Sequence, residues 1–325
     1  MVKLDRAASR LVKAVAVILA IACMNFVLIR MAPGDPVAVM AGEAAMTDQA
    51  YLDELRERFG LDRPVHEQLL VYLGNVATLD FGTSYRQGRP VADIILERLP
   101  ATLVLTITAF VISLALGITA GVIAARRPGG WVDTVVSTLA LAFYATPLFW
   151  VGLMAILLFS LELGWLPAFG MHGATPPAGG FAYLAEVAKH LVLPAMTLGL
   201  FYTGVYARLT RAQMLEVQSQ DFVRTARAKG LTEPRVERAH VLRNALLPVV
   251  TMAGVQAGHL VGGTILVETV FAWPGIGRLA FNALLQRDYS VLLGVFLVTS
   301  TMVVVINLLT DLVYGLIDPR IRFER

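Results

Sequence analysis

Six long apolar runs dominate the chain, at about 11–29, 102–125, 135–161, 191–207, 246–267 and 291–317. Each reaches the range of about 17–25 residues that a membrane-spanning helix needs. None alternates with period two, and lipid tolerates only helices or closed barrels. The pattern therefore predicts an all-α integral membrane protein with six transmembrane helices, the two longest tilted or protruding.

The first run starts basic, with Lys3, Arg6, Arg10 and Lys13, as a secretory signal does. Its apolar stretch exceeds the ~7–15 residues of a cleaved signal, and Arg30 closes it, so it reads as an uncleaved anchor. Between the runs lie polar segments of two kinds. One set comprises the N-terminus, 126–133, 208–243 and the tail after 318, and holds 17 of the 27 Lys and Arg residues. The short segments of the other set hold only Lys189, Arg278 and Arg287, and the other seven run from Arg30 to Arg98, at and within the long segment 31–100. Long loops escape the positive-inside bias, so the first set is expected in the cytoplasm, with both termini inside.

In 31–100 the stretch 48–60 reads as an amphipathic helix. Tyr51, Leu52, Leu55 and Phe59 share a face, Thr47 stands at the N-cap and Gly60 at the end. The Gly- and Pro-rich stretch 163–190 reads as loop. Trp273-Pro274-Gly275 reads as a turn with an aromatic at the membrane interface.

Composition agrees with the pattern. The chain is 57% hydrophobic and 16% charged, with mean hydropathy +0.67, where a soluble protein carries about 25% charged residues. Net charge is +3 with no clustered basic stripe, which argues against nucleic-acid binding. Cys23 is the one cysteine, so no disulfide or zinc framework forms within the chain. His66, His172, His190, His240 and His259 lack ligand spacing, so no metal site is expected. No nucleophile–base–orienter set can be drawn, so no enzyme activity is expected. A phosphate-binding loop ends in Gly-Lys-Ser/Thr; none of Lys3, Lys13, Lys189 and Lys229 follows a glycine. If ATP drives this protein, another subunit binds it.

The polar loop 214–247 carries the most information. It reads as two short helices about Gly230. Ser219 or Asp221 caps the first, Lys229 stands in its last turn, Thr232 caps the second, and Pro234 fits an early helical position. Phe222, Thr225, Ala226 and Lys229 fall at helical spacing on one face. That face either docks into a partner's groove, with Phe222 as the anchor, or lies solvated in a plain connection.

The stretch Asp221-Phe222-Val223-Arg224-Thr225-Ala226-Arg227-Ala228-Lys229-Gly230-Leu231 resembles the cytoplasmic loop of permeases in ATP-binding cassette importers, closest to the first permease of the dipeptide, oligopeptide and nickel subgroup. His240-Val241-Leu242-Arg243-Asn244-Ala245-Leu246-Leu247-Pro248 continues the likeness. So do Ala32-Pro33-Gly34-Asp35-Pro36, Phe59-Gly60-Leu61-Asp62-Arg63-Pro64 and Asp80-Phe81-Gly82-Thr83-Ser84. Glu268-Thr269-Val270-Phe271-Ala272-Trp273-Pro274-Gly275 and Asp318-Pro319-Arg320-Ile321-Arg322 complete it, over essentially the whole chain. The general importer signature, Glu-Ala-Ala, three residues and Gly, is replaced here by Arg224, Thr225 and Ala226 before Gly230. Its closing Leu-Pro is displaced to Leu247-Pro248. Contacts known in sugar importers are therefore not carried over.

The resemblance implies a type I importer permease fold. It implies an anchor helix and extracytoplasmic segment over 1–92, a five-helix transmembrane domain over 93–317 and a cytoplasmic tail over 318–325. It implies that Asp221, Phe222, Arg224, Thr225, Ala226, Arg227, Ala228, Lys229 and Gly230 form the coupling helix that sits in a cleft of an ATPase subunit. It implies no cofactor in this chain, with ATP and Mg bound by two partner ATPase subunits. A second, similar permease, an extracytoplasmic solute-binding protein and membrane lipid complete the partners. The expected place is a bacterial inner membrane and the expected cargo a peptide or similar small solute. The alternative is an ion-coupled secondary transporter, which a chain of buried acids would favour.

Within the runs, Gly254, Gly258 and Gly262 are each four apart and align on one helical face. They serve either packing within this chain or a subunit interface or moving seam. Gln256, His259, Asn307 and Asp311 are polar groups at membrane depth, and they face protein or a water-filled path.

Overall fold

The computed structural model describes residues 2–31, 63–84, 86–175 and 179–317. The expected amphipathic helix 48–60, the tail and three of the quoted motifs (32–36, 59–64 in large part, 318–322) lie outside these residues. The described part is mostly helical, without a strand among the described residues, and Thr83 and Pro90 form an isolated antiparallel bridge. All six apolar runs fall on helices. They are α1 (Val2–Met31), α3 (Val91–Arg126), α4 (Trp131–Ala145) with α5 (Leu148–Ala155), α6 (Gly180–Gln218), α9 (Arg243–Val270) and α11 (Tyr289–Ile317). Between them lie α2 (Val65–Ala77), α7 (Asp221–Ala228), α8 (Glu233–Val236) and α10 (Ile276–Gln286).

Among the described residues three helices are long and apolar enough to cross a membrane: Val91–Arg126, Gly180–Gln218 and Tyr289–Thr310. The run 135–161 is not one straight span. It breaks into α4 and α5, bent by 104°, and α5 widens to π geometry over Ile156–Glu162. Pro147 is the cause, because it lacks an N–H and forbids helical backbone at the residue before it. Thr146 is accordingly extended, at φ −81° and ψ 135°. If the bent pair makes one span the count is four; the sequence-based expectation of six is not reached by this measure. The expected loop 163–190 is also shorter, since α6 begins at Gly180 and runs through Pro194 to Gln218.

The chain forms two compact units. One comprises the described residues of Met1–Pro100 and Ile276–Val305. Here Val91, Ile94 and Ile95 of α3 pack with Ile276, Leu279, Ala280 and Ala283 of α10 and with Val291 and Val295 of α11. The turn into α11 is tied by Asp288. Its carboxylate accepts from Ser84 Oγ at 2.5 Å and from the Val291 amide at 3.4 Å, both in the interior. Asp288 thus caps α11. In α1, Asn25 is buried and Phe26 lies 5.7 Å from the Tyr72 ring of α2.

The other unit comprises Ala101–Gly275 and the described residues from Ile306. Its helices approach closely at glycines, where a Cβ would meet backbone. At Gly121 it would lie 2.6 Å from the Ala207 carbonyl oxygen, and at Gly117 2.5 Å from Tyr206 Cβ. At one end Leu105, Leu198, Val267, Phe271 and Trp273 form a core. At the other, Ala125, Met214, Val217, Val223, Ala226, Val236, Val241 and Ala245 form a second.

Trp273 is fully buried within the chain. Its indole N–H donates to the Ala101 carbonyl at 2.8 Å, which lets the polar edge of the ring go inside.

Candidate functional site

The loop after α6 is built as a rigid stub. Ser219 is still helical, at φ −82°, and its hydroxyl donates to the Glu216 carbonyl at 2.7 Å, closing α6. Gln220 then occupies the N-cap position of α7, without a side-chain cap bond. The expectation that Ser219 or Asp221 caps this helix is corrected: the connection is too short to free either. Asp221 stands instead in the first turn, where its charge favours the amide-rich end.

Gly230 ends the helix as expected, at φ +80°, a left-handed conformation that suits glycine. The Gly230 amide donates to the Arg227 carbonyl at 2.9 Å and the Leu231 amide to the Ala226 carbonyl at 3.4 Å. These are the two bonds of a Schellman ending. Thr232 stands at the N-cap of α8 as expected, although its side chain makes no cap bond, and Pro234 lies in the first turn. Two ion pairs brace the loop: Arg126 with Glu237 at 2.8 Å and Arg227 with Glu233 at 2.8 Å.

The predicted docking face divides. Val223 and Ala226, three apart, turn inward and are buried with Met214, Val217 and Val236. Ala226 therefore belongs to the anchor and not to an outward face. The reason is that a two-turn helix in a polar loop needs its own apolar contact to stay in place. Phe222 remains 40% exposed, and Asp221, Arg224, Thr225, Arg227, Ala228, Lys229 and Gly230 are exposed as well. A large exposed ring is thus held on a helix fixed from beneath.

The membrane polar groups come together less. On the glycine stripe, Gly254 packs inside the chain, where a Cβ would collide with the Thr310 side chain. Gly258 is buried, and Gly262 has nothing near its Cβ position among the described residues. Gln256 is half-buried and Asn307 exposed, while the His259 and Asp311 side chains lie outside the described residues. No group of three or more His, Cys, Asp or Glu side chains with metal-binding placement occurs among the described residues.

Two arrangements escaped the sequence reading. Asp133, at the start of α4, receives Arg211 Nε at 2.5 Å and Nη2 at 2.7 Å, and the Gly129 amide at 2.8 Å. Arg211 beside it, with the Gly129 amide, holds the Asp133 carboxyl down at about 2. The pair is bidentate and charge-assisted, 78 residues apart in sequence, and nothing local marks it. Glu268, fully buried in α9, accepts from Thr102 Oγ1 at 2.7 Å and lies directly on Gly275, where any Cβ would enter its carboxylate. The motif containing both residues marked them, but their contact is a feature of the fold.

Two family models match the chain. Residues 117–323 match the binding-protein-dependent transport system inner membrane component, and residues 4–106 its N-terminal component. The chain is 43% identical over 316 residues to the di/tripeptide transport system permease DppB of Pseudomonas aeruginosa, covering 93% of this chain and 94% of that one. It is 41% identical over 322 residues to the dipeptide transport system permease DppB of Escherichia coli K12, covering 94% and 95%. Among solved structures, an inward-facing MetNI methionine ABC transporter matches with TM-score 0.56 at 18% identity, covering 69% of this chain and 96% of that chain. At that identity the likeness concerns the fold.

Proposed function

The chain belongs to the family of binding-protein-dependent transport system inner membrane components, and from that premise we propose how its parts divide the work of import. It is a permease subunit of an ATP-driven importer, it does not itself catalyse, and it lies in the inner membrane. ATPase subunits and a solute-binding protein are its partners. Because its relatives of 43% and 41% identity are named as di/tripeptide and dipeptide permeases, the cargo we propose is a short peptide. An ion-coupled carrier finds no support among these relatives.

The finer reading concerns coupling. Asp221, Phe222, Arg224, Thr225, Arg227, Ala228, Lys229 and Gly230 present the surface that an ATPase subunit grips, and Phe222 is its anchor. Val223 and Ala226 hold that surface to the permease. The observation that carries this is the exposed Phe222 ring on a helix whose opposite side is buried in the chain's own core. Closure of the ATPases then moves α7 as a rigid body with α6 and α9, a hinge motion in kind. Two ATPases, each carrying ATP and Mg, and one second permease complete the assembly. The loops with the most Lys and Arg face the cytoplasm, which puts α7 on the ATPase side.

The experiment is reconstitution with the partner subunits. ATP-dependent uptake of a labelled dipeptide or tripeptide, delivered by the binding protein, supports the reading. Uptake that follows an ion gradient in the absence of ATP contradicts it.

A further inference from the structure

Helices α4 and α6 lie antiparallel, and three contacts fix their register. Asp133 meets Arg211 at one end, Gly204 meets Ala140 further along, and the Tyr144 and Phe201 rings stack 5.5 Å apart near the Pro147 break. From Asp133 to Tyr144 the rise along α4 is about 16 Å, at ~1.5 Å per residue. The second contact of the three is close enough that Gly204 admits no Cβ beside the Ala140 carbonyl.

Arg208 lies one turn deeper than Arg211 on α6. Its side chain points back along the helix, as helical side chains do. Its Nε donates to the Gly204 carbonyl at 3.3 Å, and its Cζ sits 5.0 Å from the centre of the Tyr144 ring. The guanidinium therefore reaches away from the Asp133–Arg211 end and toward the Pro147 break, back along the apolar part of α6. Arg208 is exposed on the surface of the chain, and among the described residues no carboxylate pairs with it. A cation that reaches along an apolar segment is costly against lipid tails and favours a side that faces water or protein. The aromatic face beneath supports it by cation–π attraction and leaves its fork open on the other side.

We infer that Arg208, carried on Tyr144, whose ring stacks on Phe201, is a carboxylate-binding element of the solute path, and that its ligand is the terminal carboxylate of a peptide. A planar guanidinium binds a carboxylate through two parallel N–H bonds. Every linear peptide with a free C-terminus has that group, whatever its side chains. One fixed fork beside adaptable aromatic surface thus fits a family of short peptides of differing sequence. The assignment rests on the peptide-import reading above.

The test uses the assembled transporter in proteoliposomes, with its ATPase subunits and binding protein. Uptake is followed for a labelled tripeptide and for the same tripeptide as its C-terminal amide. ATP-dependent uptake of the free tripeptide by the wild type establishes the parent reading; its absence would sink that reading first. Given that uptake, Arg208→Gln lowers the rate for the free tripeptide about tenfold or more relative to wild type, and Arg208→Lys lowers it less. The rate for the amide changes less than twofold. Equal losses for both peptides, as a carboxylate of the partner permease or a lipid phosphate at Arg208 would give, overturn the inference, and so does unchanged uptake of both. A second measurement stands without the amide. In a Cys23→Ala background, Arg208→Cys reacts with a water-soluble thiol reagent, as a position on a water-filled path must. A thiol that does not react overturns the inference as well.

Discussion

Arg211 grips both carboxylate oxygens of Asp133, at 2.5 and 2.7 Å, and so ties the start of α4 to the last turns of α6. Asp133 is almost fully buried. Losing its charge leaves Arg211 without its partner in a half-buried place. Asp133→Asn is therefore expected to lower the apparent melting temperature of the detergent-purified protein. The carboxyl titrates at about 2 in the fold against an ordinary 3.8. Its contribution is thus complete above about pH 4 and fades as pH falls toward 2. The wild type should lose part of its stability in that window, and Asp133→Asn should lose less there.

Gly275 and Glu268 give a second prediction. A methyl at 275 falls inside the Glu268 carboxylate, and overpacking of this kind costs about 1–3 kcal/mol. Gly275→Ala should unfold earlier than the wild type in thermal or denaturant melts. Shortening Glu268 to alanine in the same chain should recover part of that loss, because the two residues are in contact and their effects do not add.

Within the loop after α6, substitutions should separate by side. Ala226→Glu places a charge among Val223, Met214 and Val236, so it should destabilise the loop and raise its sensitivity to protease. Gly230→Ala should do the same to a smaller extent, by about 1 kcal/mol or more, since φ is +80° there. Phe222→Ala should leave the protease pattern unchanged, because the ring is 40% exposed. Limited proteolysis of the purified chain reads all three.

The glycine stripe on α9 separates likewise. Gly254→Ala should destabilise the isolated chain through Thr310. Gly262→Ala meets nothing among the described residues and should be neutral in isolation. A loss of complex recovery confined to Gly262→Ala would place a partner there, and an equal loss in the isolated chain would argue for packing alone.

Hydropathy made the helices legible because a lipid-spanning segment must be both long and apolar, and each of the six runs lies on a helix. It could not count spans at 135–161, where Pro147 bends the chain while leaving the run apolar. The break was signalled by that proline and not by hydropathy. Helix α6 begins earlier than expected because Val187 and His190 pack into the chain at helical spacing, which outweighs the Gly and Pro content just before them. The burial of Trp273 was not legible, because composition does not reveal the Ala101 carbonyl that accepts from its indole N–H. In the loop after α6 the spacing placed the helix, Gly230 its end and Thr232 the next cap. The side that faces inward depended on which of two adjacent small-residue faces met Met214 and Val236. That choice is made by tertiary contact, and it moved Ala226 from the docking face to the anchor. Asp133 with Arg211, and Tyr144 with Arg208, are pairings between distant segments that no local pattern announces.

We propose that the ATPase subunits take hold of this permease at Phe222. The most direct measurement is peptide- and binding-protein-stimulated ATP hydrolysis by the reconstituted complex carrying Phe222→Ala. An anchor of this kind contributes enough that its truncation should reduce the stimulation about tenfold or more, with the loop still folded by proteolysis. Stimulation equal to that of the wild type would contradict the account.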